Sequence, residues 1–176
     1  MYYSYEKLKQ VIEIFTDGSC TDGKTGAWVA MVLLPGEKAV LKDLVLDTTH
    51  NRMELLAVIK AIEFIDEKYK DASLMVYTDS QYVHHIPERK EKLKKNQFLT
   101  KKGTPIQNED LVKRLIAQIE SHLINFVKVK AHQNSKNYSA GSPEAHNSEV
   151  DKLARKLVRG CYNSYTEDHG EDAELH

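Results

Sequence analysis

A chain of 176 residues with 41% apolar residues and a formal net charge of −1 suits one compact domain and leaves little room for a second. Its two cysteines, Cys20 and Cys161, are far apart and form no Cys-x-x-Cys spacing, which excludes a disulfide scaffold and a thiolate zinc site and predicts reduced, intracellular thiols. No apolar run reaches membrane-spanning length, and Met1 to Lys7 lacks the core of a signal peptide, so the expectation is a cytoplasmic monomer with no membrane partner.

In chain order, Gln10 to Phe15 is β-branched and aromatic like a strand, and the run halts at Asp17-Gly18, leaving an acid at the end of a central strand. Thr21-Asp22-Gly23-Lys24 carries the Asp-Gly signal of a tight hairpin, with Gly26 to Leu34 as the returning strand. Pro35-Gly36 turns the chain into a third strand over Glu37 to Asp47, which makes an antiparallel meander. From Asn51 to Asp66 the period becomes helical through Leu55, Val58, Ile59, Ile62 and Ile65, with Thr49 or Asn51 as the cap. Glu54 falls in the first turn or so, on the face of Ala57, Val58, Ala61 and Ile65, so its carboxylate is directed along buried surface.

Leu74 to Tyr77 has the apolar character of an interior strand, ended by Asp79-Ser80. Taken alone, Asp79 reads as the N-cap of a short helix over Ser80 to Ile86, which Pro87 closes. A parallel crossover between the first and fourth strands would make Asp17 and Asp79 neighbours. From Arg89 to Lys102, seven basic residues (Arg89, Lys90, Lys92, Lys94, Lys95, Lys101, Lys102) face Glu91 alone, a segment too weakly amphipathic for a core helix. That charge suits either a polyanion partner or a solvated helix face. Gln107 to Leu123 reads as a helix with the stripe Leu111, Val112, Leu115, Ile116, Ile119 and Leu123, and Ile124 to Ala131 as a fifth strand.

Residues 132–141 read as a loop. Ser142-Pro143 then opens a helix with Val150, Leu153, Ala154, Leu157 and Val158 inward. Asp151 borders that stripe, one turn from Asn147 and within reach of Arg155. Beyond Gly160 an acidic mobile tail is expected, giving a domain over residues 1–160 and a tail over 161–176. Asp17, Glu54, Asp79 and Asp151 thus all lie at the start or end of an element, and one site gathering them could hold divalent metal. Clustered carboxylates repel, so without metal at least one should hold its proton unusually tightly.

Five blocks deserve joint reading: Thr16-Asp17-Gly18-Ser19-Cys20; Thr48-Thr49-His50-Asn51-Arg52-Met53-Glu54-Leu55; Tyr77-Thr78-Asp79-Ser80-Gln81-Tyr82-Val83; Val129-Lys130-Ala131-His132; and Asn147-Ser148-Glu149-Val150-Asp151-Lys152-Leu153-Ala154. Together, from about residue 10 to about residue 159, they resemble type 1 ribonuclease H. The resemblance implies an α/β fold with a five-stranded mixed sheet, its first three strands antiparallel, flanked by helices. It also implies a metal-dependent endonuclease that hydrolyses the RNA strand of RNA–DNA hybrids by a two-metal-ion mechanism, leaving 5′-phosphate and 3′-hydroxyl ends.

By position, Asp17, Glu54, Asp79 and Asp151 are similar to the family's catalytic, metal-binding carboxylates, for two Mg²⁺ ions bound with substrate or Mn²⁺ in their place. His132 matches the histidine of its flexible loop, a proton carrier or an aid to product release. The hybrid's 2′-hydroxyls would meet Gly18, Ser19, Cys20, Asn51, Ser80 and Gln81, with Asn147 beside the last acid. DNA phosphates would meet Thr49 and a basic handle that includes Arg89, Lys90, Lys94 and Lys95. The sequence departs from the family at His50, where many relatives carry Asn, at Ala131, and in a handle whose aromatic is Phe98 rather than Trp. A non-cleaving hybrid-binding module and a DNA-acting nuclease of the same superfamily remain open alternatives.

Overall fold

The structure, a computed structural model, describes residues 10–21, 25–69, 71–130 and 138–169, with side chains through residue 160. Its elements are β1 (Val11–Cys20), β2 (Gly26–Leu34), β3 (Glu37–Val45), α1 (His50–Asp66), β4 (Ser73–Thr78), α2 (Gln81–His84), α3 (Ile86–Lys95), α4 (Glu109–Ser121), β5 (Leu123–Lys128) and α5 (Pro143–His169). One sheet of order β3-β2-β1-β4-β5 joins an antiparallel meander to two strands parallel to β1, which is the mixed sheet expected from sequence.

Alternation along the central strands divides the core between two faces. Ile12 and Ile14 of β1, with Ala30 and Val32 of β2, pack beneath Leu55, Val58, Ile59 and Ile62 of α1 and Leu115 of α4. On the opposite face Phe15, Val29 and Met31 meet Val150 and Ala154 of α5. Each of these residues is buried, and the larger Val, Leu, Ile, Met and Phe side chains contribute about 1.5–3 kcal/mol apiece, so α1 and α5 are fixed to the sheet from opposite sides. Among the described residues no helix is long and apolar enough to cross a membrane.

Several boundaries differ from the sequence reading. β1 does not halt at Asp17-Gly18 but runs to Cys20, because β2 continues to pair with it through Gly18↔Trp28 and Cys20↔Gly26. Helix α2 stops at His84, and Pro87 opens α3 rather than closing a helix: its missing N–H is harmless in a first turn. The basic segment is therefore helical over Ile86–Lys95, anchored by Ile86 and Leu93, with Lys92, Lys94 and Lys95 at the C-terminal end that favours cations. Helix α5 continues past Gly160 to His169, a position where one glycine costs roughly 1 kcal/mol and does not by itself stop a helix. The expected hairpin at residues 22–24 and the loop over 131–137, including His132, lie outside the described residues.

Candidate active site

The sheet register puts the first two acids together. β1 and β4 run parallel up to the pair Thr16↔Thr78, so Asp17 and Asp79 are the next residue on each strand, where the two diverge. Asp17 shares the β1 face of Phe15, toward α5, while Thr16 and Gly18 face α1. Gly18 lets α1 approach: a Cβ there would lie 2.6 Å from the Glu54 amide nitrogen and 2.8 Å from Met53. Gly26 on β2 works the same way, since its Cβ would meet Thr48 and Met53 at 2.5 and 2.7 Å. These two bare backbone positions seat the N-terminal turns of α1 on the sheet and bring Glu54 over its edge.

Helix α1 begins at His50, capped by Thr49, whose hydroxyl accepts from the Arg52 amide at 3.4 Å. Glu54 is consequently the fifth helical residue, in the second turn, one residue further in than a helix starting at Asn51 would place it. Its neighbours Met53 and Leu55 are fully buried and Glu54 itself is 2% exposed. One oxygen each of Asp17, Glu54 and Asp79 lie within 4.8 Å of one another. Asp151 of α5 lines the same cleft, of about 610 Å³, and its charge reaches Asp17. Its Oδ1 accepts from Arg155 Nε at 2.8 Å, the pairing read from their spacing along the helix. Asp79 is not the cap of α2. Ser80 is, accepting from the Val83 amide at 3.3 Å, which leaves the Asp79 carboxylate available to the cleft.

Burial, followed by the charges of Glu54, Asp79 and Asp151, pushes the Asp17 carboxyl up from 3.8 to about 9, against a lowering from the Gly18 amide. Burial also raises Glu54, opposed by a hydrogen bond from His50, and that same bond raises His50. Glu54 Oε2 is buried with no hydrogen-bond partner. An orphaned carboxylate oxygen among mutually repelling acids is what a hard divalent cation relieves, and oxygen-only donors suit Mg²⁺ or Mn²⁺ rather than zinc. The donor set therefore fits such an ion.

The cleft also gathers Gly18, Ser19, Cys20, Asn51, Ser80 and Gln81, the residues named from sequence as candidates to meet the hybrid. Thr49 serves as the α1 cap at its edge, and Asn147 is 5% exposed with its Oδ1 unpartnered, beneath the surface rather than lining the cleft. On α3, Arg89 and Lys95 are exposed, Lys90 reaches Glu91 at 3.8 Å, and Lys94 is held by Glu120 of α4 at 2.7 Å. Phe98 packs half-buried on the core with Lys113 Nζ 5.0 Å above its ring, so one face of that ring is already covered.

Two neighbours of the acids escaped the sequence reading. His50 Nε2 lies 3.1 Å from Glu54 Oε1, a contact that i, i+4 spacing on a helix could have signalled. Lys128 Nζ donates to the backbone carbonyl of Asp79, a link between the ends of β5 and β4 that only the sheet order creates.

Compared with known proteins, residues 9–159 match the family model described as RNase H. The ribonuclease H of Thermoanaerobacter sp. (strain X514) is 34% identical over 152 residues, covering 85% of this chain and 90% of that protein. That of Salmonella arizonae is 39% identical over 169 residues, covering 95% and 99%. Among solved structures, LC9-RNase H1, described as a type 1 RNase H with the type 2 active-site motif, superposes with a TM-score of 0.70 at 24% identity, covering 86% of this chain and 74% of that one. LC11-RNase H1 in complex with RNA/DNA hybrid gives 0.60 at 14% identity, covering 86% and 99%. At these identities both structures speak for the fold.

Proposed function

Because the chain belongs to the ribonuclease H family, we propose that it is an endonuclease hydrolysing the RNA strand of RNA–DNA hybrids, leaving 5′-phosphate and 3′-hydroxyl ends. The observation that carries this is the convergence of Asp17, Glu54 and Asp79 within 4.8 Å, with Glu54 Oε2 buried and unpartnered. Asp17, Glu54, Asp79 and Asp151 are its catalytic carboxylates. Two Mg²⁺ ions, or Mn²⁺, held by them would supply an activated water and neutralise charge on the leaving oxygen.

The remaining work falls to the protein. Water attacks phosphorus, the bond to the 3′ oxygen breaks, and that oxygen takes a proton. His132, by its family position, is the group suited to carry protons near neutral pH or to help product leave. Gly18, Ser19, Cys20, Asn51, Ser80 and Gln81 face the shallow groove of the hybrid, where 2′-hydroxyls distinguish RNA from DNA. Thr49 and the basic residues of α3, Arg89, Lys90, Lys94 and Lys95, hold the DNA strand's phosphates, and Asn147 supports the site from below. The protein acts in the cytoplasm as a monomer, with one catalytic domain and an acidic C-terminal extension.

The test is to incubate labelled hybrid, duplex DNA and duplex RNA with Mg²⁺ and either the wild type or Asp17→Asn. Cleavage confined to the hybrid's RNA strand and lost in the variant is the expected result. Equal cutting of duplex DNA would replace this reading with a DNA nuclease, and binding without cutting would replace it with a binding module.

A further inference from the structure

His50 is the first residue of α1, and the helix turns its imidazole back over Glu54 one turn later. Its side chain is 60% exposed and lines the acidic cleft, whereas the Glu54 side chain beneath it is 2% exposed. The two carboxylate oxygens of Glu54 are not equivalent. Oε1 sits 3.1 Å from His50 Nε2, and Oε2 is buried with no partner. A free glutamate carboxylate rotates broadly about its last torsion, so either oxygen could face the cleft. A ring N–H donating to Oε1 removes that freedom.

We propose that His50 is a positioning residue for Glu54, pinning Oε1 so that Oε2 alone is presented to a divalent cation. The inference rests on the reading of Glu54 as a metal ligand and adds to it which oxygen binds and what orients it. Besides His50 on Oε1, the backbone amide of Gly18 also donates toward this carboxylate, while Oε2 has no hydrogen-bond partner of its own. Partners that orient a ligand in this way typically change metal affinity by about 10–100-fold when removed.

The experiment titrates Mn²⁺ alone into the full-length protein, followed by the loss of free-ion electron paramagnetic signal, with Mg²⁺ repeated by calorimetry. Four variants are compared with the wild type: Glu54→Gln, His50→Ala, His50→Gln and His50→Asn. Gln can place an amide N–H close to the position of the imidazole Nε2, while the shorter Asn falls near Nδ1 and cannot reach Oε1. The expected result is binding abolished or nearly so in Glu54→Gln, weakened about 10-fold in His50→Ala and His50→Asn, and largely restored in His50→Gln. Because the histidine is mostly solvent-facing, far-ultraviolet dichroism should show all three His50 variants folded.

Wild-type affinity in His50→Ala, with Glu54→Gln defective, would overturn the positioning role and leave the metal site intact. Wild-type affinity in Glu54→Gln would overturn both. Equal weakening in His50→Gln and His50→Asn would show that the ring does something other than donate to Oε1, and would likewise overturn the proposal.

Discussion

Asp17→Asn is expected to stabilise the metal-free protein, by an amount that grows with pH, while removing hydrolysis. Asp17 is 5% exposed and surrounded by the charges of Glu54, Asp79 and Asp151, so its folded-state carboxyl holds a proton up to about 9 against 3.8 for the free group. Between those values the folded chain binds one proton more than the unfolded chain. Stability contributed by this carboxyl is therefore fully present below about pH 4 and declines as pH rises toward 9. At pH 7, about three units above the free value, the loss is at most roughly 4 kcal/mol at about 1.4 kcal/mol per unit.

Asparagine cannot ionise, so its stability curve lacks that slope. Any difference in burying an amide instead of a carboxylic acid is a constant offset. The assay is thermal unfolding in EDTA from pH 4 to pH 9 for both proteins. The variant's advantage should be smallest near pH 4 and reach on the order of 10 °C in melting temperature by neutral pH, given about 2–4 °C per kcal/mol for a domain of this size. Added Mg²⁺ should then stabilise the wild type and leave the variant nearly unmoved, since a ligand stabilises only the state that binds it. Parallel curves for the two proteins across the whole range would refute the account of Asp17 as an acid strained by its neighbours.

Gly18→Ala should destabilise by roughly 1–3 kcal/mol in thermal unfolding and depress hydrolysis with it, because the new methyl meets the α1 backbone at 2.6–2.8 Å and displaces Glu54; wild-type values of both would mean that α1 can slide. Arg52→Ala should cost about 1 kcal/mol at neutral pH by losing a two-pronged contact to Asp110 at 2.8 and 2.9 Å, discounted for exposure. Arg52 holds the Asp110 carboxyl below its usual range, so that difference should fade as pH falls through the acid range; a difference that persists there would assign the effect to packing. In hybrid binding measured against salt, Arg89→Ala with Lys95→Ala should reduce the log–log slope by about 2, while Lys94→Ala should change it by less than about 1, since Lys94 is already paired with Glu120; equal slopes for all would remove α3 from the interface.

Period and turn chemistry made the strands and the long helices legible, because Ile12, Ile14 and Val76 or Leu55, Ile59 and Ile62 announce burial through neighbours close in sequence. The four acids were legible through the sequence blocks around them, although only Asp79 directly follows the end of an element while Asp17 lies within β1, Glu54 in the second turn of α1 and Asp151 well inside α5; parallel pairing of β1 with β4 follows from the crossover rule. What escaped depends on contacts between distant residues. Gly18 looked like a strand terminator, yet it is a paired strand residue whose missing side chain seats α1. Pro87 reads equally well as a stop or a start, and only the chain's turn at His85 decides which. The basic segment looked unanchored because its two buried contacts, Ile86 and Leu93, are diluted by charge.

The rigidity of the scaffold explains why the acids do not simply move apart. Asp17 is fixed by strand pairing on β1, Asp79 follows the last paired residue of β4, Glu54 rides on a helix buried along most of its length, and Asp151 belongs to a helix packed on the opposite face. Acids on loops would relieve their repulsion by small displacements, and each would titrate near its ordinary value. Here relief by motion would require slipping a strand register or lifting α1 from a core of fully buried isoleucines, which is far more costly than retaining a proton. The fold thus stores the repulsion in a fixed geometry, and the remaining ways to discharge it are protonation of Asp17 or the arrival of cations. That choice makes metal binding and proton release two sides of one equilibrium: Mg²⁺ titrated into weakly buffered wild-type protein near pH 7 should liberate protons, and Asp17→Asn should release fewer.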